Sequence, residues 1–262
     1  MKRFLLFLAL VLWTSVARAT ITFDFASEGT GTTTFTWSHA GGANPEGGVV
    51  ACMCSACTTD VISGAKWGAS SMTLVGNAID TVGEPGSVEV YWIGSSVPSG
   101  TQTIECTVSS GTDAKHGVAI GVQANGNVQL AGTFCTIDTG DPDDPSCTVT
   151  GISGARFGFA FLFSGLNDPT SITAGAGFTL GPDNDYGTKS SISEYESSQG
   201  SGNLTAAFTT TAADDVAMLG MAFQQVTADS GFAPRRGVMI SDLLDVLLFG
   251  LRRFWEVTWA RG

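Results

Sequence analysis

Positive charge is scarce in this sequence. Of its 12 Lys and Arg residues only Lys66, Lys115, Arg156 and Lys189 fall between Thr20 and Gly231, while the chain carries 24 Asp and Glu. A surface that neutralises phosphates cannot be built from so few cations, which excludes nucleic acid as a partner. Charged residues of both signs amount to only 14% of the chain, so the Lys/Glu/Leu-rich composition of helical domains is missing too. Histidine occurs twice, as His39 and His116, in no H-E-x-x-H or other metal-ligating spacing. No G-x-S-x-G supplies a nucleophile elbow. Glu194-Tyr195-Glu196 puts two carboxylates on one face of a predicted strand, the minimum a glycosidase needs, but acid pairs are common on acidic surfaces. The chain reads as non-enzymatic and without a cofactor.

The chain is instead rich in glycine, with 34 copies, and in Thr and Ser, while 43% hydrophobic residues suffice for a sizeable core. Apolar alternation punctuated by Gly, Pro, Asn and Asp predicts strands over Ile21–Phe25, Thr32–Trp37, Gly48–Ser55, Ser71–Val75, Val88–Ile93, Thr101–Val108 and Gly117–Gln123. The series resumes with Val128–Phe134, Cys147–Thr150, Arg156–Phe163, Gly177–Leu180, Ser190–Glu196, Leu204–Thr211 and Val216–Gln224. An internal echo accompanies it. Met72-Thr73-Leu74-Val75 is matched by Phe178-Thr179-Leu180-Gly181, and Val88-Glu89-Val90-Tyr91 by Ile192-Ser193-Glu194-Tyr195. Ser99-Gly100 is matched by Ser201-Gly202, and Val118-Ala119-Ile120-Gly121 by Ala217-Met218-Leu219-Gly220. The predicted fold is an all-β, antiparallel, jelly-roll-like β-sandwich of two pseudo-repeated halves, followed by a short C-terminal helix.

Three further features bear on compartment and ligands. Residues 1–19 have a basic start, an apolar stretch from Phe4 to Trp13 and the small-residue end Ala17-Arg18-Ala19, the three parts of a secretory signal peptide. The expected organisation is 1–19 signal peptide, 20–231 sandwich and 232–262 helical tail. Six cysteines in an exported chain read first as disulfides. Cys135 and Cys147 flank a turn-rich loop whose closure is worth about 3 kcal/mol. Cys52, Cys54 and Cys57 form a C-x-C-x-x-C cluster with two readings: a zinc or iron–sulfur site with Cys106 as fourth ligand, or core packing with a bridge from Cys52 or Cys54 to Cys106. Two acidic loops, one with Asp138, Asp141 and Asp143 and one with Asp183 and Asp185, offer oxygen ligands to calcium, or serve as solvated turns. Trp37, Trp67 and Trp92 fit packing better than a sugar platform.

The stretch Trp67-Gly68-Ala69-Ser70-Ser71-Met72-Thr73-Leu74-Val75-Gly76, then Val88-Glu89-Val90-Tyr91-Trp92, Pro98-Ser99-Gly100-Thr101-Gln102-Thr103-Ile104 and the closing Asp214 to Phe223, resembles a recurrent non-enzymatic β-sandwich domain. Such domains occur in tailed-phage virion proteins and bacterial secreted proteins. The resemblance spans roughly Thr32 to Gln225, and its motifs are turn glycines and core alternation, which carry fold better than function. It implies a decoration, fibre or adhesion role. The signal peptide, the cysteine cluster and the tail depart from the pattern and favour a cellular exported protein.

After Pro234-Arg235-Arg236 the composition turns helical: Ser241 can cap, Asp242 and Asp245 suit a first turn, and Leu244, Leu247, Leu248, Leu251, Phe254 and Trp255 form the apolar stripe of an interaction helix. Its uninterrupted apolar run is too short to span a bilayer. It is expected to dock on a neighbouring subunit or the sandwich, with membrane-surface attachment or a sorting role as alternatives. The sequence as a whole points to a secreted or cell-surface structural or adhesive protein that self-associates or binds another surface protein. A carbohydrate-binding module and a virion decoration or fibre protein are the alternatives.

Overall fold

The computed structural model describes residues 20–226 apart from 43–44, 95–96, 139–143, 166–168, 188 and 212–214. The predicted signal peptide, Asp141, Asp143, the 231/232 boundary and the predicted tail helix lie outside the described residues. The strands of the first half are β1 (Ile21–Gly31), β2 (Phe35–Ala40), β3 (Gly47–Ser55), β4 (Ile62–Trp67), β5 (Ser70–Ser71), β6 (Thr73–Asp80), β7 (Gly86–Ile93), β8 (Thr101–Val108) and β9 (Lys115–Ala124). Those of the second half are β10 (Val128–Leu130), β11 (Cys135–Ile137), β12 (Ser146–Val149), β13 (Ala155–Ser164), β14 (Thr173–Ala174), β15 (Phe178–Asp185), β16 (Ser190–Glu196), β17 (Gly200–Ser201), β18 (Leu204–Thr209) and β19 (Val216–Gln225). Among the described residues no helix is long and apolar enough to cross a membrane.

These strands form an antiparallel β-sandwich with an additional sheet on each outer face. One central sheet runs β1-β9-β3-β7-β6 and the other β10-β19-β13-β16-β15, with β11 also on β19. Their facing sides meet in a core of Val49, Met53, Val88, Val90 and Ile120 against Phe157, Phe159, Phe161, Phe163 and Phe223. The opposite side of the first sheet, through Val50, Cys52 and Tyr91, packs on Ile62, Trp67, Ile104 and Cys106 of the sheet β2-β8-β4-β5. The opposite side of the second, through Ala160, Leu162, Ile192 and Met218, packs on Ala206 and Phe208 of the sheet β12-β18-β14. Covering on both faces explains why β3 and β13 are apolar without alternation: GGVVACMC and RFGFAFLF are buried throughout.

The echo is realised as topology. The order β9-β3-β7-β6 is repeated by β19-β13-β16-β15, and β2-β8-β4 by β12-β18-β14. The turns entering β8 and β18 use glycines in the same left-handed conformation, Gly100 at φ 74° and Gly202 at φ 71°. In the hairpin the sequence match is one residue out of phase. Val88 faces the central core and Ile192 the outer one, whereas Trp92 and Tyr195 both pack against the central core. Alternation makes this decisive, since a one-residue slip exchanges the two faces.

Candidate functional site

The three disulfides differ in what they join. Cys52 on β3 bonds Cys106 on β8, both fully buried, tying a central sheet to its outer sheet across 54 positions. Cys135 on β11 bonds Cys147 on β12 and does the same in the second half, 12 positions apart. Cys54 bonds Cys57 and closes only the turn leaving β3, where Ala56 sits at φ 66°. Closure entropy scales with loop length, giving about 4, 3 and 2 kcal/mol in the order Cys52–Cys106, Cys135–Cys147, Cys54–Cys57. A single four-cysteine metal centre is therefore not what the fold assembles. Although Cys52 and Cys54 share a face of β3, register places Cys106 over the first, and the reversal at Ala56 returns Cys57 to the second.

Buried carboxylates lie between central and outer sheets in both halves. Glu89 accepts from the Ile62 backbone N–H at 3.2 Å and from Tyr91 Oη at 3.0 Å. Burial, with the neighbouring Asp60 carboxyl adding to it, pushes Glu89 up to about 9. Glu194 accepts from the backbone N–H groups of Gly175 at 2.9 Å and Ala207 at 3.2 Å, and burial pushes it up to about 7. Glu196 accepts from Gly158 N at 2.6 Å and pairs with Arg156 at 3.0 Å. The carboxyl groups of Glu194 and Glu196 thus satisfy backbone and Arg donors in a closed interior, while Tyr195 turns to the central core and stacks on Phe23 at 4.3 Å.

A polar chain joins the two central sheets where β1 and β9 meet β15 and β16. Fully buried His116 places Nδ1 2.8 Å from Ser191 Oγ and Nε2 3.1 Å from Glu28 Oε2, and Tyr186 Oη lies 3.2 Å from Ser191 Oγ. Serine, imidazole and carboxylate in series are the parts of a hydrolytic triad. Here the ring nitrogens are exchanged relative to that arrangement and Ser191 is wholly buried, so the chain works as a clasp between sheets. Asp183 belongs to this cluster: burial, then the Glu28 carboxylate, raise its carboxyl, and His116 pulls it back. The sequence offers Asp183 as a calcium ligand or a solvated turn and shows His116 only in no metal-ligating spacing, whereas the structure puts Asp183 on β15 beside the His116 chain. Their partners lie 75 and 88 positions from His116, and the only local signal is a histidine at an inward position of an apolar strand. The second histidine, His39, bonds Ser27 Oγ through Nδ1 at 2.7 Å, and burial, partly offset by Asp24, lowers it to about 4.

Asp185 accepts from the N–H of Gly187 at 2.6 Å, closing its own turn. Asp138 receives the Thr136 hydroxyl at 3.4 Å. Among the described residues the one group of three potential metal ligands within 4.8 Å of one another is Cys54, Cys57 and Asp113. Trp67 is buried and Trp37 half-buried, donating to Ser27 Oγ at 3.0 Å. Trp92 instead lines a groove of about 210 Å³ with Leu74, Leu130, Phe134 and Met221, at which Leu74 is 48% and Phe134 40% exposed.

No protein-family description matches this sequence, and no curated protein does. Among solved structures the chain is similar to one titled Red Clover Necrotic Mosaic Virus, at 11% identity and a TM-score of 0.22, over 81% of this chain and 98% of that one. A likeness at that score supports no conclusion about fold or function.

Proposed function

We propose that this chain is an exported or surface-displayed structural protein that assembles with itself or with another surface protein. The observation that carries the reading is that its buried chemistry is used between layers. Two disulfides and the acids Glu89 and Glu194 each fasten a central sheet to its outer sheet, and the His116 chain fastens the central sheets to each other. Such cross-ties suit a part that bears load or survives outside the cell. The test is intact mass of the natively produced protein, before and after reduction and thiol alkylation, joined to sedimentation velocity. A chain beginning at Thr20 whose cysteines label only after reduction, sedimenting as more than a monomer, is the expected result. Retention of residues 1–19 or freely labelled thiols overturns the exported reading, and a strict monomer overturns self-assembly.

The groove gives a second reading its one observation. Trp92 and the exposed Phe134 present aromatic surface beside Thr73, the combination on which a carbohydrate-binding module stacks a sugar ring. Titration with oligosaccharides, followed by tryptophan fluorescence, distinguishes this from assembly.

A further inference from the structure

We propose that Cys54, Cys57 and Asp113 form a redox-gated site for a thiophilic divalent cation of the zinc type, closed as a disulfide when oxidised and open to metal when reduced. The three side chains already converge. Their ligand atoms lie within 4.8 Å of one another, with Cys57 Sγ 4.0 Å from Asp113 Oδ2. The Cα atoms of the two cysteines are 5.7 Å apart. Two zinc–sulfur bonds of about 2.3 Å at a tetrahedral angle need the sulfurs only about 3.8 Å apart. Ala56 at φ 66° reverses the chain between the two cysteines.

Charge favours the same assignment. Lys115, 1% exposed, donates from Nζ to the carbonyl oxygens of Asp113 at 2.9 Å and Thr32 at 3.2 Å. With the disulfide closed, the Asp113 carboxylate and the Lys115 ammonium cancel. With two thiolates and a divalent cation added, the cluster is again neutral, which favours binding beside the two buried sulfurs. Three protein ligands leave a fourth position for water. In the gating step a dithiol reductant gives two electrons and two protons to the Cys54–Cys57 bond and becomes a disulfide itself. The cation then displaces the two thiol protons to solvent.

The experiment uses the full chain, reduced anaerobically with a phosphine and titrated with Co²⁺ alone, with Zn²⁺ then added in competition. Expected are one Co²⁺ per chain, thiolate-to-cobalt charge-transfer absorption with tetrahedral d–d bands, and loss of both on adding Zn²⁺ or on reoxidation. Cys54→Ala or Cys57→Ala abolishes the spectrum, Asp113→Asn weakens binding at least tenfold, and the Cys135→Ala/Cys147→Ala pair retains it. Zn²⁺ also protects Cys54 and Cys57 of the reduced wild-type protein from alkylation, a readout that needs no variant to fold. Absence of a thiolate spectrum, protection of other cysteines instead, or binding that survives loss of Cys54 and Cys57 overturns the proposal.

Discussion

Glu194→Gln should invert its effect on stability as pH rises. In the folded chain burial holds the Glu194 carboxyl at about 7 against an ordinary value of 4.5. The native state therefore binds this proton more tightly than the unfolded chain does. The stability linked to it is fully present below pH 4.5 and is lost as pH rises through 7. At about 1.4 kcal/mol per unit the loss is on the order of 3 kcal/mol. Glutamine does not ionise, but its amide turns one of the two oxygens serving Gly175 N and Ala207 N into a donor, at a cost of about 1–3 kcal/mol at every pH. The variant is thus less stable than the wild type at pH 4.5 and equal or more stable above pH 7.5. His39, whose lowered value makes stability rise over the acid range, cancels because both proteins carry it. Urea unfolding midpoints across pH 4–8 measure the difference directly. Parallel curves for the two proteins would refute the argument.

Two other outcomes follow from the fold. Gly100→Ala and Gly202→Ala introduce a Cβ at φ 74° and 71° with nothing within 4 Å of it, so each should lose about 1–2 kcal/mol from backbone strain alone, by nearly equal amounts in urea. Replacing Cys52 and Cys106 together by Ala should lower the unfolding free energy by about 4 kcal/mol, and the same change at Cys135 and Cys147 by about 3. The reverse order in denaturation midpoints would show that closure entropy does not rank them.

The all-β architecture and its two-fold repetition could be read from the sequence because turn glycines and apolar runs repeat in order. The missing parts have physical causes. β4, Ile62–Trp67, carries Gly64 and a register shift beside it, so its alternation is broken and its sequence does not read as a strand. β1 runs on to Gly31 because its polar second half, Ala26 to Gly31, is held by pairing with β9 and not by its own pattern. The outer sheets followed from no single run, since strands buried on both faces reveal only that they are covered. The cysteine partners needed register: a spacing of three permits ligation or bonding alike, and only the turn at Ala56 and the position of β8 choose between them. The Glu28–His116–Ser191 clasp links three strands far apart in the chain, and pattern along one strand cannot see it.

Repetition also explains why there are four layers and not two. Each half has its own outer core, Trp67 and Ile104 under one sheet and Phe208 and Ala206 under the other, so each could close one face of its central sheet alone. Its other face would stay bare: Val49, Met53, Val88, Val90 and Ile120 in the first half, a row of four phenylalanines on β13 in the second. Bare apolar faces of this extent do not persist in water, and the cheapest cover for one is the matching face of a repeated unit. The strand orders support that view, because β1 contacts β15 while β6 contacts β19 and β11, so the two sheets face each other with their orders reversed, as a pseudo-two-fold axis requires. The flanks so related differ in what closes them. One flank is closed by the buried clasp of His116, and the other leaves an open apolar groove at Leu74, Trp92 and Phe134.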